Sequence, residues 1–244
     1  LLENAIDAGA GKITLEIKNG GISLIRVTDD GCGMTKDDAL VCVKRHATSK
    51  ISCAADLDGI ATLGFRGEAL AAISSVSKMR IMTRTKNSPT GIIIEFNAGN
   101  PVSVEEAGCP EGTSVIVEEL FANVPARRKF LKSNQTELSN VVADFQRIVL
   151  VHPDVSFTLF NNGVEMYNLP KATVKQRIVD VFGKKINTDL LPIDVDTSLV
   201  HITGYVGKPE ASKKKNAHQY FFVNGRYMRH PYFHSAVMKA YENI

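Results

Sequence analysis

Tryptophan is missing from the 244 residues, and no apolar run approaches the roughly 20 residues that a bilayer-spanning helix needs. A membrane protein of that kind is excluded. Cysteine is sparse: Cys32, Cys42, Cys53 and Cys109 lie 10, 11 and 56 positions apart and form no C-x-x-C pair. A zinc site is therefore unsupported and a disulfide-stapled miniprotein is ruled out. With no secretory segment, the four read as reduced, mostly buried thiols. His46, His152, His201, His218, His230 and His234 show no ligand spacing. The two commonest phosphate-binding signatures, G-x-x-x-x-G-K-S/T and G-x-G-x-x-G, are absent, as is any internal repeat.

What is present is ordinary for a globular chain, 44% hydrophobic and 23% charged, with room for one or two domains at about 150 residues each. The net charge of +3 hides a division. Residues 1–120 carry 12 Lys/Arg against 16 Asp/Glu, and residues 121–244 carry 17 against 10. A basic second half points to a polyanion; the plain alternative is an uneven solvated surface.

Periodicity predicts a short helix through Leu2 and Ile6 stopped by Gly9, a strand over Lys12–Ile17, a turn at Asn19-Gly20-Gly21, and a return strand over Ile22–Asp29. Thr35-Lys-Asp-Asp38 resembles a capping box opening a helix to about Arg45. Residues 46–66 read as loop, followed by a helix from Glu68 to about Val76 and strands near 78–84, 90–96 and 113–118. Asn134 is expected to cap a long helix whose apolar stripe is Leu138, Val141, Val142, Phe145, Ile148 and Val149. A hairpin turned at Asn162-Gly163 follows, then a boundary at Pro170-Lys171-Ala172. Beyond it come a helix to about Phe182, strands near 191–196 and 200–206, and a hairpin at Asn224-Gly225. Strands arrive in hairpins, with helices between groups. The fold class is therefore α+β, helices against a largely antiparallel or mixed sheet. Both ends read as cut: nothing caps Leu1, and His234–Ile244 stops inside a helical pattern.

Four short signals carry the chemistry. Asn4-x-x-Asp7-Ala8 shares a helix face and offers a hard oxygen ligand suited to Mg2+. Asp29-Asp30-Gly31-Cys32-Gly33-Met34 places a carboxylate at a strand end, able to accept from an exocyclic amine such as that of adenine. Its glycines let backbone pass close to a flat ring. Gly64-Phe65-Arg66-Gly67-Glu68-Ala69-Leu70 runs from a turn into a helix start, a favourable place for phosphate, and Arg66 adds an anion contact. Glu111-Gly112-Thr113-Ser114 is the fourth. Each is weak alone; their order and spacing carry the weight.

As a set they resemble the GHKL ATPase superfamily. Within it, Leu1–Ala10, Asp30-Gly-Cys-Gly33, Arg45-His-Ala-Thr-Ser-Lys-Ile51, Gly64–Leu70, Pro125-Ala-Arg-Arg-Lys-Phe-Leu131 and Phe222-Val-Asn-Gly-Arg226 are most similar to the MutL mismatch-repair branch. The resemblance implies an ATPase α/β sandwich over residues 1–172. A second α+β domain over 173–244 would be transducer-like, DNA-binding and similar to the ribosomal protein S5 domain 2-like fold. Both domains are expected to be truncated at the chain ends. It further implies ATP held with Mg2+ on Asn4, adenine read by Asp29, and Gly31 and Gly33 lining the pocket. Thr48, Ser49, Lys50, Gly64, Phe65, Arg66, Gly67, Glu68, Ala69 and Leu70 would form the phosphate lid and the helix start beneath it. Thr113 would supply a hydroxyl near the base.

The family's general base precedes the asparagine in Glu-x-x-x-Asn, which counts back to the position just before Leu1, so no catalytic residue is expected within the chain. Glu3, adjacent to Asn4, projects about 100° away around the helix. Arg127, Arg128, Lys129 and Arg226 are the implied DNA contacts, with no base-specific readout. The plain reading of Arg127–Lys132 is a first helical turn anchored by Phe130 and Leu131, which the helix dipole would disfavour. Implied partners are DNA, a second protomer joined by ATP, and the mismatch-recognition protein MutS. The implied setting is cytoplasmic and nucleoid-associated, with no membrane. The alternatives are a non-hydrolysing, nucleotide-gated clamp and another GHKL enzyme such as a topoisomerase subunit.

Overall fold

Local rules account for most element ends. Helix α1 (Leu2–Asp7) buries Leu2 and Ala5. The Gly9 amide donates to the Ile6 carbonyl at 2.9 Å and the Ala10 amide to the Ala5 carbonyl at 3.2 Å, with Gly9 at φ +73°. These are the paired bonds of a Schellman stop, which needs a left-handed residue there. Strand β1 (Lys12–Lys18) turns Ile13, Leu15 and Ile17 inward. Its partner β2 (Leu24–Asp29) starts two residues later than expected, because the Ile22 amide bonds back to the Asn19 carbonyl and lengthens the turn. Helix α2 (Lys36–Val41) is shorter than its pattern predicts, but Thr35 caps it. Thr35 Oγ1 accepts from the Asp38 amide at 3.2 Å and donates to the Asp38 carboxylate at 2.7 Å, the shorter acid reaching the hydroxyl in this box.

The computed structural model describes residues 1–44, 68–211 and 218–242. The chain divides into two units: Leu1–Phe145 with Val155–Pro170, and Gln146–Asp154 with Lys171–Ile244. In the first, α3 (Ala69–Ser75) precedes β3 (Lys78–Arg84), β4 (Gly91–Asn97), β5 (Asn100–Ala107) and β6 (Gly112–Glu118). Strand β5 is absent from the sequence expectation. It is an edge strand that leaves nearly every side chain in solvent, so only Val102 and Val104 hint at alternation. Next come a one-turn helix α4 (Pro125–Arg128) and the long α5 (Asn134–Val151), which passes from the first unit into the second. Ser133 caps α5 in place of the expected Asn134: its hydroxyl accepts the Thr136 amide at 3.3 Å. The hairpin β7 (Ser156–Asn161) and β8 (Val164–Leu169) turns at Asn162-Gly163 with φ +51° and +81°, as a primed two-residue turn requires.

These strands form one sheet in the order β5-β4-β3-β6-β2-β1-β7-β8, antiparallel except where β1 runs parallel to β7. The α+β mixed sheet agrees with the sequence reading. Ala39, Met79, Ile81, Ile94, Phe96, Val115 and Val117 form a core against it. Phe145 packs edge-on against Phe157, ring centroids 6.1 Å apart.

The second unit has α6 (Val174–Phe182), the ribbon β9 (Leu190–Asp196) with β10 (His201–Gly207), the hairpin β11 (Phe221–Val223) with β12 (Arg226–Met228), and α7 (Pro231–Tyr241). Arg177, fully buried, donates to the carbonyls of Val149 at 3.0 Å, His152 at 3.4 Å and Pro153 at 3.2 Å. It thereby satisfies carbonyls at the end of α5. Burial pulls its guanidinium below the ordinary value, while Asp180 and Asp154 oppose the shift. The cysteines differ from expectation: Cys32 is exposed and Cys42 and Cys109 are half-buried, all free thiols, and Cys53 lies outside the described residues. Cys32 is turned out because its amide, donating to the Ala8 carbonyl at 3.0 Å, sets the loop on α1.

Candidate functional site

The end of β2 places two aspartates side by side and gives them different work. Asp30 is exposed, and its Oδ1 accepts the Gly11 and Lys12 amides at 2.7 and 2.8 Å, pinning the start of β1. Asp29 is half-buried, and its Oδ1 accepts the Gly31 amide at 2.9 Å and the Thr113 amide at 3.2 Å. Among the described residues nothing donates to Asp29 Oδ2, so that oxygen is left to accept from an incoming donor. Burial pushes the Asp29 carboxyl above its ordinary range; the two amides pull it back and Asp30 adds repulsion. Asp30 is thus spent on the start of β1, and Asp29 keeps one oxygen without a donor among the described residues.

The protein's own packing already requires the glycines. A Cβ on Gly31 would meet the Ala8 carbonyl oxygen at 2.8 Å, and one on Gly33 (φ +68°) the Arg84 carbonyl oxygen at 2.1 Å. The obstructing groups are thus the protein's own backbone, where α1 and β3 close on the loop. The glycines hold the loop in place, and Asp29 with it.

Thr83, on β3, is a residue that motif reading missed. It is 1% exposed, and its hydroxyl receives the Met34 amide at 2.8 Å, reaches the Gly112 carbonyl at 3.0 Å and lies 3.1 Å from the Thr113 hydroxyl. Asp29 pairs with Thr113 across β2 and β6, and Thr83 with Thr113 across β3 and β6. One buried hydroxyl therefore joins the glycine loop to the Gly112-Thr113 segment. A signal existed: in the inward series Met79, Ile81, Thr83 the last member is polar.

Asn4 is half-buried on α1, one turn before Ala8, whose carbonyl holds the loop through the Cys32 amide. Glu3 is exposed, as its position around the helix predicts. Asn4, Asp29, Gly31, Gly33 and Thr113 thus lie on α1, the loop after β2 and the start of β6, which the bonds above connect. Glu68 stands at the start of α3, Ala69 opens it, and Leu70 packs against the core. Thr48, Ser49, Lys50, Gly64, Phe65, Arg66 and Gly67 lie outside the described residues. Among the described residues no group of three or more His, Cys, Asp or Glu is arranged to hold a metal. The donor chemistry still suits Mg2+ beside a triphosphate, which takes one or two protein oxygens and keeps its other positions for water and phosphate.

Arg127, Arg128 and Lys129 are exposed on and just after α4. The segment is a single helical turn, so the dipole does not weigh against the arginines as expected; of the two expected anchors Phe130 is 82% exposed and Leu131 is half-buried. Arg226 opens β12 after the Asn224-Gly225 turn and is exposed. It belongs to the second unit, whereas Arg127–Lys129 belong to the first.

Residues 1–110 match the family described as "Histidine kinase-, DNA gyrase B-, and HSP90-like ATPase", and residues 178–244 match "DNA mismatch repair protein, C-terminal domain". The DNA mismatch repair protein MutL of Phocaeicola vulgatus is 55% identical over the whole chain, and that of Bacteroides fragilis 52%. The Aquifex aeolicus MutL ATPase domain complexed with ADP is 31% identical with a TM-score of 0.75, the match covering 98% of this chain and 83% of that one. The chain belongs to the MutL family of DNA mismatch repair proteins. It spans 39% of the length of the Phocaeicola and Bacteroides MutL proteins. A further structure, the N-terminal domain of a DNA repair protein, shares the fold at TM-score 0.82 and 24% identity, over 100% of this chain and 77% of that one. Membership in the MutL family sets aside the topoisomerase reading. No described helix is long and apolar enough to cross a membrane.

Proposed function

We propose that this chain is the nucleotide-binding and DNA-binding N-terminal region of a MutL protein, binding ATP with Mg2+ and hydrolysing it in the intact protein. The observation that carries the reading is the Asp29 carboxylate, held by two backbone amides through one oxygen and left with the other to accept from the adenine amine. The ADP complex of the 31% identical Aquifex domain supports it. In this reading Thr113 sits beside the base, and Asn4 supplies an oxygen to Mg2+. Thr48, Ser49, Lys50 and Gly64–Leu70 cover the phosphates. The metal, when bound, neutralises phosphate charge. The water-positioning glutamate is assigned to the residue that precedes Leu1, one helical turn from Asn4, and the gene sequence upstream tests this. ATP binding orders the lid segment and joins two protomers; hydrolysis releases them.

We also propose that residues 1–172 and 173–244 are the ATPase and transducer-like domains. Arg226, Arg127, Arg128 and Lys129 hold DNA through phosphates without reading sequence, and MutS delivers the mismatch signal in the cytoplasm at the nucleoid. A second reading is a clamp that binds nucleotide without hydrolysing it, and a phosphate-release assay separates the two. Two variants test the main one. Asp29→Asn is expected to weaken ATP binding about 10- to 100-fold in titration calorimetry, the worth of a hydrogen bond to a charged group. Unchanged affinity would sink the adenine assignment. Arg226→Glu is expected to weaken DNA binding about 10-fold at low salt while sparing ATP, and equal DNA affinity removes it from the interface.

A further inference from the structure

Phe130 leaves 82% of its surface in solvent, yet the backbone that presents it is firmly tied. The amides of Arg128, Lys129, Phe130 and Leu131 donate to the carbonyls of Val124, Pro125, Arg127 and Arg128 at 3.0–3.2 Å. The next amide, of Lys132, donates to the Glu137 carboxylate at 2.8 Å, fixing the turn to the start of α5. Its neighbours in the chain, Arg127, Arg128, Lys129 and Lys132, are all exposed. Among the described residues none of these four side chains makes a hydrogen bond or an ion pair. An open aromatic face on an ordered turn, flanked in the chain by unpaired cations with no acid in Pro125–Lys132, suits a ligand that is a polyanion carrying flat apolar groups.

Three occupants have that charge. An anionic bilayer needs an amphipathic stripe, and here the apolar part is one ring beside a half-buried Leu131. A duplex offers phosphates but keeps its bases stacked on each other. A single strand offers both phosphates and unstacked bases. We propose that Phe130 is a stacking platform for an unpaired base, with Arg127, Arg128, Lys129 and Lys132 holding the flanking phosphates. The inference rests on the DNA-binding reading above and extends it: this turn prefers single-stranded to duplex DNA, through a residue with no charge.

The test is fluorescence anisotropy with the full-length protein on a single-stranded oligonucleotide, its duplex, and a single strand made abasic. Phe130→Ala is expected to weaken the single strand about 10-fold and to leave the duplex and the abasic strand within about twofold. The salt dependence stays as in the parent protein, because no cation is removed. Phe130→Trp is expected to restore binding, and unchanged melting temperatures show that an exposed ring carries no fold. Loss that is equal on the abasic strand, or no loss on the single strand, overturns the stacking role. If the double variant Arg127→Glu, Arg128→Glu also leaves all three affinities unchanged, the DNA reading of this turn falls with it. If it alone weakens all three, only the stacking role falls. Vesicles of anionic phospholipid form the last arm: binding that Phe130→Ala abolishes while sparing the single strand assigns the face to a bilayer and overturns the proposal.

Discussion

Each of the two units contains one buried polar side chain that ties distant backbone together, and the two networks end differently. In the first, the Thr83 hydroxyl joins Met34 to Gly112 and Thr113, and the chain of bonds runs on to Asp29, whose second oxygen has no donor among the described residues. In the second, Arg177 is directed at the carbonyls of Val149, His152 and Pro153, and its bonds complete the end of a helix. The surroundings differ to match. Thr83 belongs to a unit with an extensive apolar sheet core, so its hydroxyl is not needed to hold the sheet and can serve position. The described residues of the second unit bury fewer apolar side chains, Val149, Leu150, Val179 and Val181 among them. There the arginine carries more of the fold. The same chemistry, a buried polar side chain meeting distant backbone, leads to a half-buried carboxylate in one unit and to the end of a helix in the other.

The contrast can be broken experimentally. The largest effect is expected from Arg177→Met, which takes the guanidinium away from the Val149 and His152 carbonyls. About 3 kcal/mol of stability should be lost in urea unfolding, with ATP affinity below the transition unchanged. A fall in ATP affinity matching that of Asp29→Asn would erase the distinction. Thr83→Val should cost about 2 kcal/mol, since the Met34 amide loses its acceptor. It should also weaken ATP more than GTP, because it loosens the segments that hold Asp29, and Thr83→Ser should restore both. Equal losses for the two nucleotides would make Thr83 a scaffold residue like Arg177.

The smallest effect concerns Asp29 itself. Its folded pKa is raised, so its favourable contribution is complete below the unfolded value of about 3.9 and is lost as pH rises through the folded one. At neutral pH the buried carboxylate therefore destabilises the fold. Asp29→Asn should raise Tm at pH 7 by at most about 4 °C, and the gain should disappear toward pH 4. A lower Tm at pH 7 would mean that the oxygen is held for the fold and not for a ligand.

Much of this could be read from the chain. Gly9, Thr35, Asn162-Gly163 and Asn224-Gly225 act where their residue types say they should, because caps and turns are set within a few residues. The choice of Asp29 over Asp30 followed the motif, while the amides that each carboxylate accepts were not legible. Strand β5 was not legible, since an edge strand needs no alternation to be paired. The cap of α5 was misplaced by one residue, as Ser133 and Asn134 are both good caps and only the Glu137 side chain reaching back to the Lys132 amide decides between them. The glycine loop was located, but sequence shows that a Cβ is absent without showing that the protein's own backbone would have met it.

By itself the sequence determined the family, the α+β class and the turns, all of which rest on residue type and short spacing. Tertiary structure alone decided the strand order, the assignment of Asp30 to the start of β1, and the roles of Thr83 and Arg177. The reason is range. Asp29 meets Thr113 across 84 positions and Thr83 meets Met34 across 49, and bonds of that span follow from which strands become neighbours. Local propensity does not encode that neighbourhood.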